Sequence, residues 1–413
     1  MDQRTSDRDA DTTTEFERDV VKLLLETLSK VAKEEREDVG TESVLNALVS
    51  GDSAAGSAIA PGMKAVGSLG ASIGCRGTSV WVSDDAGAGA GDGAEDGAAG
   101  APDDEREIDA LWREVRQEEA KRLRWKNRKK EEREGIELPP MTGALRSCLR
   151  TALEAAREEG TLSVRVRHVA RALVELPDTR AREAMLLEKL DVPAASTALD
   201  ALRESDEAPE PVAVLVLRKA GTFGKSGNPL TRKFTSWIFG GGAGFGSAVV
   251  GVVRSESQRG AVRRGASETE PVDVLLGILA LDRSLAVAGR ELPEQLTEAN
   301  RGAELLRRHG ARQDAVARVL LPSTGVAEGE PPEVDSTADF DRRLLHVTQL
   351  TASAQGSPTV GTTHLLAALL DEAGTNVESA AEIERVLTES GVDVAGLRAE
   401  PELRVPGGSA QAA

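Results

Sequence analysis

Aromatic residues are scarce in this chain, which has no tyrosine, six phenylalanines and four tryptophans among 413 residues. Aromatic side chains favour strands, so their scarcity argues against an aromatic-rich β-sandwich. Alanine, leucine and valine must fill the core instead, which favours the packing of helices on helices. The length predicts two or three domains.

Cysteine and histidine are also rare. Two distant cysteines, Cys75 and Cys148, do not make a disulfide framework. None of the four histidines lies at metal-ligand spacing from another ligand, and no Cys-x-x-Cys occurs, so we predict no metal. The polar segment Met1–Glu17 does not resemble a signal peptide, and we expect a cytoplasmic protein.

Charge limits the partners. The net charge of −18 and the sequence pI of about 4.9 would repel phosphates, which disfavours general binding to nucleic acid or to an anionic membrane. One uncharged stretch, Phe234–Val253, reaches the length of a membrane span. Five glycines between positions 240 and 246 favour a glycine-rich loop leading into a core helix.

Motifs for enzymatic chemistry are absent from the sequence. Gly224-Lys225-Ser226 resembles the end of a phosphate-binding loop, but Lys219 stands where the first glycine belongs. The Gly240–Gly246 segment lacks a surrounding βαβ unit, and no Gly-x-Ser-x-Gly elbow occurs. Cys148 lies on an apolar helical stripe and is predicted to be buried. We therefore predict no cofactor and no enzymatic activity.

Helical spacing of apolar residues recurs along the chain and predicts an all-α fold. The predicted helices are Glu15–Lys33, Glu42–Val49 (with Thr41 as its N-cap), Met141–Glu159, Arg167–Leu176, Ala181–Leu190, Ala194–Arg203, Ser247–Ser257, Val272–Leu281, Leu296–Arg308, Asp314–Leu321, Ala338–Ala354, Thr362–Leu370, Ser379–Glu389 and Val394–Glu400. Gly51–Gly74 has a weak helical signal. Thr78–Ser83 and Val212–Leu217 are predicted to be short strands.

A charged helix is predicted over 105–135. Its second half combines eight basic residues with Trp125, a composition that could bind nucleic acid. Interleaved Glu118, Glu119, Glu131 and Glu132 can pair with these cations along the helix. We therefore interpret it as a solvated helix rather than a nucleic-acid site.

Two distant segments read almost alike. Val39–Val49 begins Val-Gly-Thr-Glu and continues as a leucine-containing helix, and Val360–Leu370 begins Val-Gly-Thr-Thr-His and does the same. Arg167–Leu173 and Val272–Leu279 follow this pattern more loosely. The same unit, a long helix, a turn, a short apolar helix, another helix and a closing helix, thus occurs four times.

The Val-Gly-Thr-Glu motif and its helices resemble the Clp N-terminal repeat, which occurs twice in the N-terminal domain of Clp-type chaperone ATPases. The resemblance covers most of the chain in architecture, but only short segments in identity. It implies two tandem double-repeat modules, here without AAA+ modules. The first predicted module covers 14–205 and contains an insertion at 76–135, made of a flexible linker at 84–104 and the charged helix at 105–135. A linker at 206–211 leads to the second module at 212–405, which consists of a third repeat at 212–321, a linker at 322–337 and a fourth repeat at 338–405. The tails at 1–13 and 406–413 are predicted to be disordered.

The resemblance also implies a ligand site. In such domains the glutamate of Gly-Thr-Glu receives the guanidinium of an arginine-phosphate ligand, and Glu42 matches it. The corresponding positions are Arg167, Val272 and Thr363, so one carboxylate of four remains and Arg167 would repel a guanidinium. We therefore do not expect a normal phosphoarginine pocket. Glu42 can equally be a first-turn residue favoured by the helix dipole. The candidate binding residues are Thr41, Glu42, Thr362, Thr363 and His364.

The function implied is non-enzymatic binding of proteins or peptides, as a regulator, adaptor or decoy of a Clp chaperone–protease system. Its partners would be a Clp ATPase or its substrates, with no nucleic acid and no membrane. The alternative is sequestration of cyclic-peptide natural products that target the chaperone. An unrecognised hydrolase is the third possibility.

Overall fold

A computed structural model describes most of the chain. The described residues are 14–51, 53–76, 81–83, 85, 102–127, 136–205, 210–224, 247–322, 342–371 and 374–404. They form two compact units, residues 14–205 and residues 210–404. The predicted tails 1–13 and 406–413 and the glycine-rich segment 240–246 lie outside the described residues. So do the predicted linkers 206–211 and 322–337, except for residues 210, 211 and 322.

The first unit is built from nine helices among its described residues. These are α1 (Arg18–Lys33), α2 (Thr41–Ser50), α3 (Ala54–Ile59), α4 (Met63–Arg76), α5 (Pro102–Asn127), α6 (Gly143–Glu158), α7 (Val166–Glu175), α8 (Arg180–Leu187) and α9 (Val192–Ser205). Two-residue strands β1 (Glu15–Phe16) and β2 (Ser163–Val164) pair in parallel. The core consists of aliphatic side chains with Phe16 and Trp112.

The second unit is also helical. Its described elements are α10 (Val212–Ala220), α11 (Ala248–Arg264), α12 (Pro271–Val287), α13 (Glu294–Thr297), α14 (Gly302–Arg308), α15 (Gln313–Leu320), α16 (Arg342–Ala354), α17 (Thr362–Leu370), α18 (Val377–Glu389) and α19 (Val394–Ala399), with 3₁₀ turns at Glu298–Asn300 and Pro401–Leu403. Valine and leucine side chains form its separate core. The prediction of an all-α fold is confirmed.

Three local predictions are wrong. Val212–Leu217 belongs to the helix α10 and not to a strand, because a short apolar run does not distinguish the two. The predicted helix Leu296–Arg308 is broken before Gly302. Trp81–Ser83 contains no strand, and 78–80 lie outside the described residues.

The insertion also differs from its prediction. Asp85 is fully buried and α5 begins at Pro102, so neither end of the predicted linker 84–104 is a free linker. The first two-thirds of α5 is buried rather than solvated. It packs on α1 and α6, where Glu105 accepts from Arg146 Nη1 at 2.7 Å and Asp109 accepts from Arg146 Nη2 at 2.6 Å. Acidic residues of α5 thus pair with basic residues of a neighbouring helix.

Two reciprocal bridges join the halves of the first unit. Phe16, just before α1, pairs with Val164, just before α7. Val39, just before α2, pairs in parallel with Met141, just before α6. The same number of residues separates Phe16 from Met141 as separates Val39 from Val164. Helices α1 and α6 each have 16 residues, and α2 and α7 each have 10. Each half therefore pairs with the other through the same two positions, the one just before its 16-residue helix and the one just before its 10-residue helix.

No described helix combines the length and the apolar composition that crossing a bilayer requires. Of the stretch weighed above as a membrane span, the described part begins at Ser247, the N-cap of α11, whose hydroxyl accepts from the Val250 N–H.

Candidate functional site

Thr41 joins the start of α2 to the start of α8. Helix α2 begins at Thr41 with Gly40 as its N-cap, so the prediction of Thr41 as N-cap is wrong. Its hydroxyl has tertiary partners instead: it donates to Asp85 Oδ2 at 2.9 Å and accepts from the Ala181 N–H at 3.0 Å. The Thr41 N–H donates to the same Asp85 oxygen at 2.7 Å. We call this arrangement the Thr41 junction.

Asp85 ties the two helix starts together. Its second oxygen, Oδ1, accepts from the Arg180 N–H at 2.8 Å, so a single carboxylate binds N–H groups of both α2 and α8. Helix N-termini carry unpaired N–H groups and a partial positive charge, which is the environment that favours a carboxylate. Asp85 is fully buried and has charge-assisted hydrogen bonds on both oxygens.

Glu42 lies beside this junction and is completely buried. Its Oε1 accepts from the Ser43 hydroxyl at 3.1 Å and lies 3.8 Å from Arg36 Nη1 and 3.9 Å from Arg180 Nη1. Burial, aided by the negative charge of Asp85 and opposed by Arg180, raises the pKa of Glu42 to about 7. Its Oε2 has no hydrogen-bond donor among the described residues.

Arg180 is held on its other side by Asp38. Its Nη1 and Nη2 donate to the two Asp38 oxygens at 2.8 and 3.3 Å, which is a bidentate pair. Gly40 leaves room for this arrangement, because a Cβ there would lie 2.2 Å from Glu42 Oε2 and 3.0 Å from Arg180 Nη1. The chain's own guanidinium groups thus occupy the space in front of the Glu42 carboxylate.

Thr362 occupies the corresponding place in the second unit. Its N–H donates to Asn300 Oδ1 at 3.0 Å, and its hydroxyl accepts from the Gly302 N–H at 3.2 Å. Thr363 accepts from the Arg301 N–H at 2.9 Å and donates to the Glu298 carbonyl at 3.2 Å. We call this arrangement the Thr362 junction. Its hydrogen-bonding side chains are neutral.

His364 caps the helix α17. Its Nδ1 accepts from the Gly361 N–H at 3.1 Å, and burial lowers its pKa, which keeps the ring neutral and able to accept. His168 has the same role in α7, where its Nδ1 accepts from the Arg165 N–H at 2.9 Å. Both histidines stand three residues after the N-cap, where a side chain can reach back to it. Their geometry is that of helix caps.

Arg167 is paired within its own half. Its Nη1 donates to Glu159 Oε1 at 3.0 Å, and His168 Nε2 lies 3.1 Å from the second Glu159 oxygen. Although burial opposes the shift, these hydrogen bonds lower the pKa of Glu159 to about 2. Val272 is buried at the start of α12. Neither residue adds a charge that is open to a ligand guanidinium.

The five predicted site residues thus fall into two clusters, with Thr41 and Glu42 in one unit and Thr362, Thr363 and His364 in the other. Sequence reasoning missed Asp85, Arg180, Arg36 and Asp38. Only Arg180 had a local signal, since Thr179 before it is an N-cap residue whose hydroxyl accepts from the Arg182 N–H. Asp85 lies in a Gly/Ala/Asp-rich stretch that gives no sign of burial.

The chemistry available at the Thr41 junction is electrostatic. It combines carboxylates with guanidinium groups and backbone N–H donors, and among the described residues no group of three or more His, Cys, Asp or Glu could hold a metal ion. Cys148 is buried with its Sγ 3.7 Å from the Val169 carbonyl, and burial raises the pKa of its thiol.

No family model, no curated protein and no solved structure matches this chain.

Proposed function

We propose that this chain is a non-enzymatic protein- or peptide-binding protein of the cytoplasm that acts as a regulator, adaptor or decoy of a Clp-type chaperone–protease system. The proposal rests on the resemblance of Val39–Val49 and Val360–Leu370 to the Clp N-terminal repeat. In this proposal the chain is two tandem double-repeat modules, with four degenerate repeats.

One structural observation carries the proposal. The reciprocal bridges Phe16–Val164 and Val39–Met141 relate two halves with the same helix lengths. This is the arrangement expected when two copies of one helical unit pack around a local two-fold axis. The resemblance implies a domain of two paired repeats, and in the family such a domain binds substrates and adaptors.

Exposed apolar side chains offer a contact surface on the first unit. Leu186, near the end of α8, is 59% exposed, and Met63, at the start of α4, is 93% exposed. Helices α4 and α8 pack together, and the Ser68 hydroxyl donates to Glu188 just beyond α8. Apolar side chains held in water by an ordered helix pair favour association with a partner.

The test is capture of partners by the purified full-length chain from a native lysate, read by mass spectrometry of both proteins and small molecules. We expect Clp subunits to be retained by the wild type and lost with Leu186→Glu. The matched control is Leu350→Glu on α16, where the leucine is 55% exposed in the second unit. Retention of a cyclic peptide without Clp subunits would contradict the proposal and support sequestration.

A further inference from the structure

Trp125 is exposed on the last turns of α5. Its side chain is 77% exposed, whereas Trp112, on the same helix, is only 3% exposed. Exposing a tryptophan leaves a large apolar surface in water, and tryptophan is enriched where proteins contact partners. Core packing therefore does not account for a tryptophan at position 125.

Cations surround this tryptophan. Lys121, Arg122 and Lys126 are exposed on the same helix, and Lys121 and Arg122 lie four and three residues before Trp125, on its side of the helix. We call Lys33, Lys121, Arg122, Trp125 and Lys126 together the Trp125 face. Among the described residues the three lysines have no hydrogen bond or ion pair.

Lys33 reaches the Trp125 face from α1. Helices α1 and α5 pack together, and Arg122 Nη1 donates to Ser29 Oγ at 3.1 Å. Burial raises the pKa of Glu119, and the positive charges of Arg122, Lys33 and Lys126 oppose that rise. Arg122 Nη1 lies 3.8 Å from Glu119 Oε2, and Lys33 on α1 and Lys126 on α5 act on the same carboxylate. The two helices therefore present a single positive surface.

We propose that the Trp125 face binds a short acidic peptide segment of another protein that carries an apolar side chain. The cations would receive the carboxylates, and the exposed indole would cover the apolar side chain. The partner is chosen by charge complementarity: this local surface is positive on a chain with a net charge of −18. The inference does not rest on the Clp-linked function, because it concerns a different surface.

The acidic residues next to Lys33 favour a short peptide over nucleic acid. Exposed Glu34, Glu35 and Glu37 follow α1 directly beyond Lys33. A long polyanion that runs past Lys33 would meet these carboxylates and be repelled, while a short acidic segment can bind the cations without reaching them.

The test is fluorescence anisotropy of the full-length chain with a labelled peptide of aspartate and glutamate around one central leucine. We expect saturable binding that weakens as salt is raised. The triple variant Lys33→Glu, Arg122→Glu, Lys126→Glu should bind at least about tenfold more weakly. Trp125→Ala should weaken binding about threefold. Wild-type emission should shift on binding, and that of Trp125→Phe should not.

The control variant is Lys64→Glu, Lys219→Glu, Arg290→Glu, which makes the same change in net charge at exposed positions elsewhere. It should bind like the wild type, and circular dichroism should show unchanged helix content in every variant. Equal binding by the two triple variants overturns the proposal. So does tighter binding of a single-stranded oligonucleotide of equal charge, or an absence of peptide binding at about 1 mM.

Discussion

The Thr41 and Thr362 junctions share one hydrogen-bond arrangement but differ in the charge of their side chains. In each, a threonine at the first position of a helix donates its N–H to a side-chain oxygen and accepts, through its hydroxyl, an N–H at the start of a facing helix. The side-chain acceptor is Asp85 in the first unit and Asn300 in the second. Glu42 follows Thr41, whereas Thr363 follows Thr362.

The difference shows that the hydrogen-bond geometry does not require the charges. A neutral amide oxygen satisfies the Thr362 N–H at 3.0 Å, close to the 2.7 Å of the Thr41 N–H with Asp85. The charged version carries a desolvation cost, which is visible in the raised pKa of Glu42. We therefore expect the Thr41 junction to depend on pH and the Thr362 junction to depend on close packing.

The largest effect is expected from added volume. A Cβ on Gly361 would lie 2.1 Å from the Ala299 carbonyl oxygen, which is backbone and cannot rotate away. Gly361→Ala should destabilise the second unit by about 3 kcal/mol or more. Gly40→Ala should cost about 1–2 kcal/mol, because the clash is with the rotatable Glu42 side chain. Hydrogen exchange of peptides covering α17 and α2, followed in urea, measures both.

The control for this pair is Gly67→Ala in α4, where an added Cβ meets nothing within 4 Å. It should stabilise by about 0.5–1 kcal/mol, as expected inside a helix. Equal losses at Gly40 and Gly361 would contradict the distinction between a rotatable neighbour and a backbone neighbour.

Removal of the hydroxyl groups should have the next largest effect. Thr41→Val leaves Asp85 and the Ala181 N–H each without one hydrogen bond, and should cost about 2–3 kcal/mol. Thr362→Val leaves only the Gly302 N–H unpaired and should cost about 1 kcal/mol. Urea denaturation followed by the same exchange measurement compares them. A larger loss at Thr362 would show that the charged junction is not the more demanding one.

The pH dependence should distinguish the junctions further. Between its ordinary pKa of 4.5 and its folded pKa of about 7, Glu42 holds a proton in the folded protein that the unfolded chain has released. Its contribution to the free energy of unfolding therefore falls as pH rises through this window, by up to about 3 kcal/mol. Glu42→Gln should remove this part of the slope, measured by denaturation between pH 4.5 and 8.

Asp19 supplies the comparison variant for the pH experiment. Burial raises its pKa to about 6, so it acts in the same direction but away from the Thr41 junction. Asp19→Asn should leave the slope between pH 6 and 7 largely in place. If Glu42→Gln leaves the whole profile unchanged, Glu42 is ionised in the folded protein, and its Arg36 and Arg180 neighbours outweigh burial.

The smallest effect is expected with phosphoarginine. Arg36 and Arg180 already lie 3.8 and 3.9 Å from the Glu42 carboxylate, so a ligand guanidinium would have to displace them. We expect weak or no binding in a calorimetric titration, with any residual binding lost in Glu42→Ala. Low-micromolar binding that survives this substitution would place the ligand elsewhere on the chain.

The sequence pattern predicts a helix correctly where residues adjacent in the chain determine where that helix begins and ends. Helix α17 has the predicted bounds, because an apolar run follows a glycine at the N-cap. The break before Gly302 could not be predicted, since it depends on a contact: a Cβ there would lie 2.7 Å from the Thr362 carbonyl oxygen. The spacing of apolar residues along the chain does not show that the backbone at Thr362 lies this close to Gly302.

The charged junction was hidden for the same reason. Glu42 was found through its motif, but the residues that complete its surroundings come from distant parts of the chain. Asp85 stands 44 residues from Thr41 and 95 from Arg180. Its place in the Thr41 junction is recognisable only when the N-termini of α2 and α8 meet on its carboxylate, which is a property of the tertiary structure.

The reciprocal bridges have a consequence for biosynthesis. Phe16 pairs with Val164, so the first strand leaves the ribosome long before its partner exists. At about 5–20 residues per second, that delay is roughly seven to thirty seconds. During this interval α1 can pack on α2 and α5 but not on α7, which has not yet been made. We therefore expect holding chaperones to bind the nascent chain until α7 has emerged.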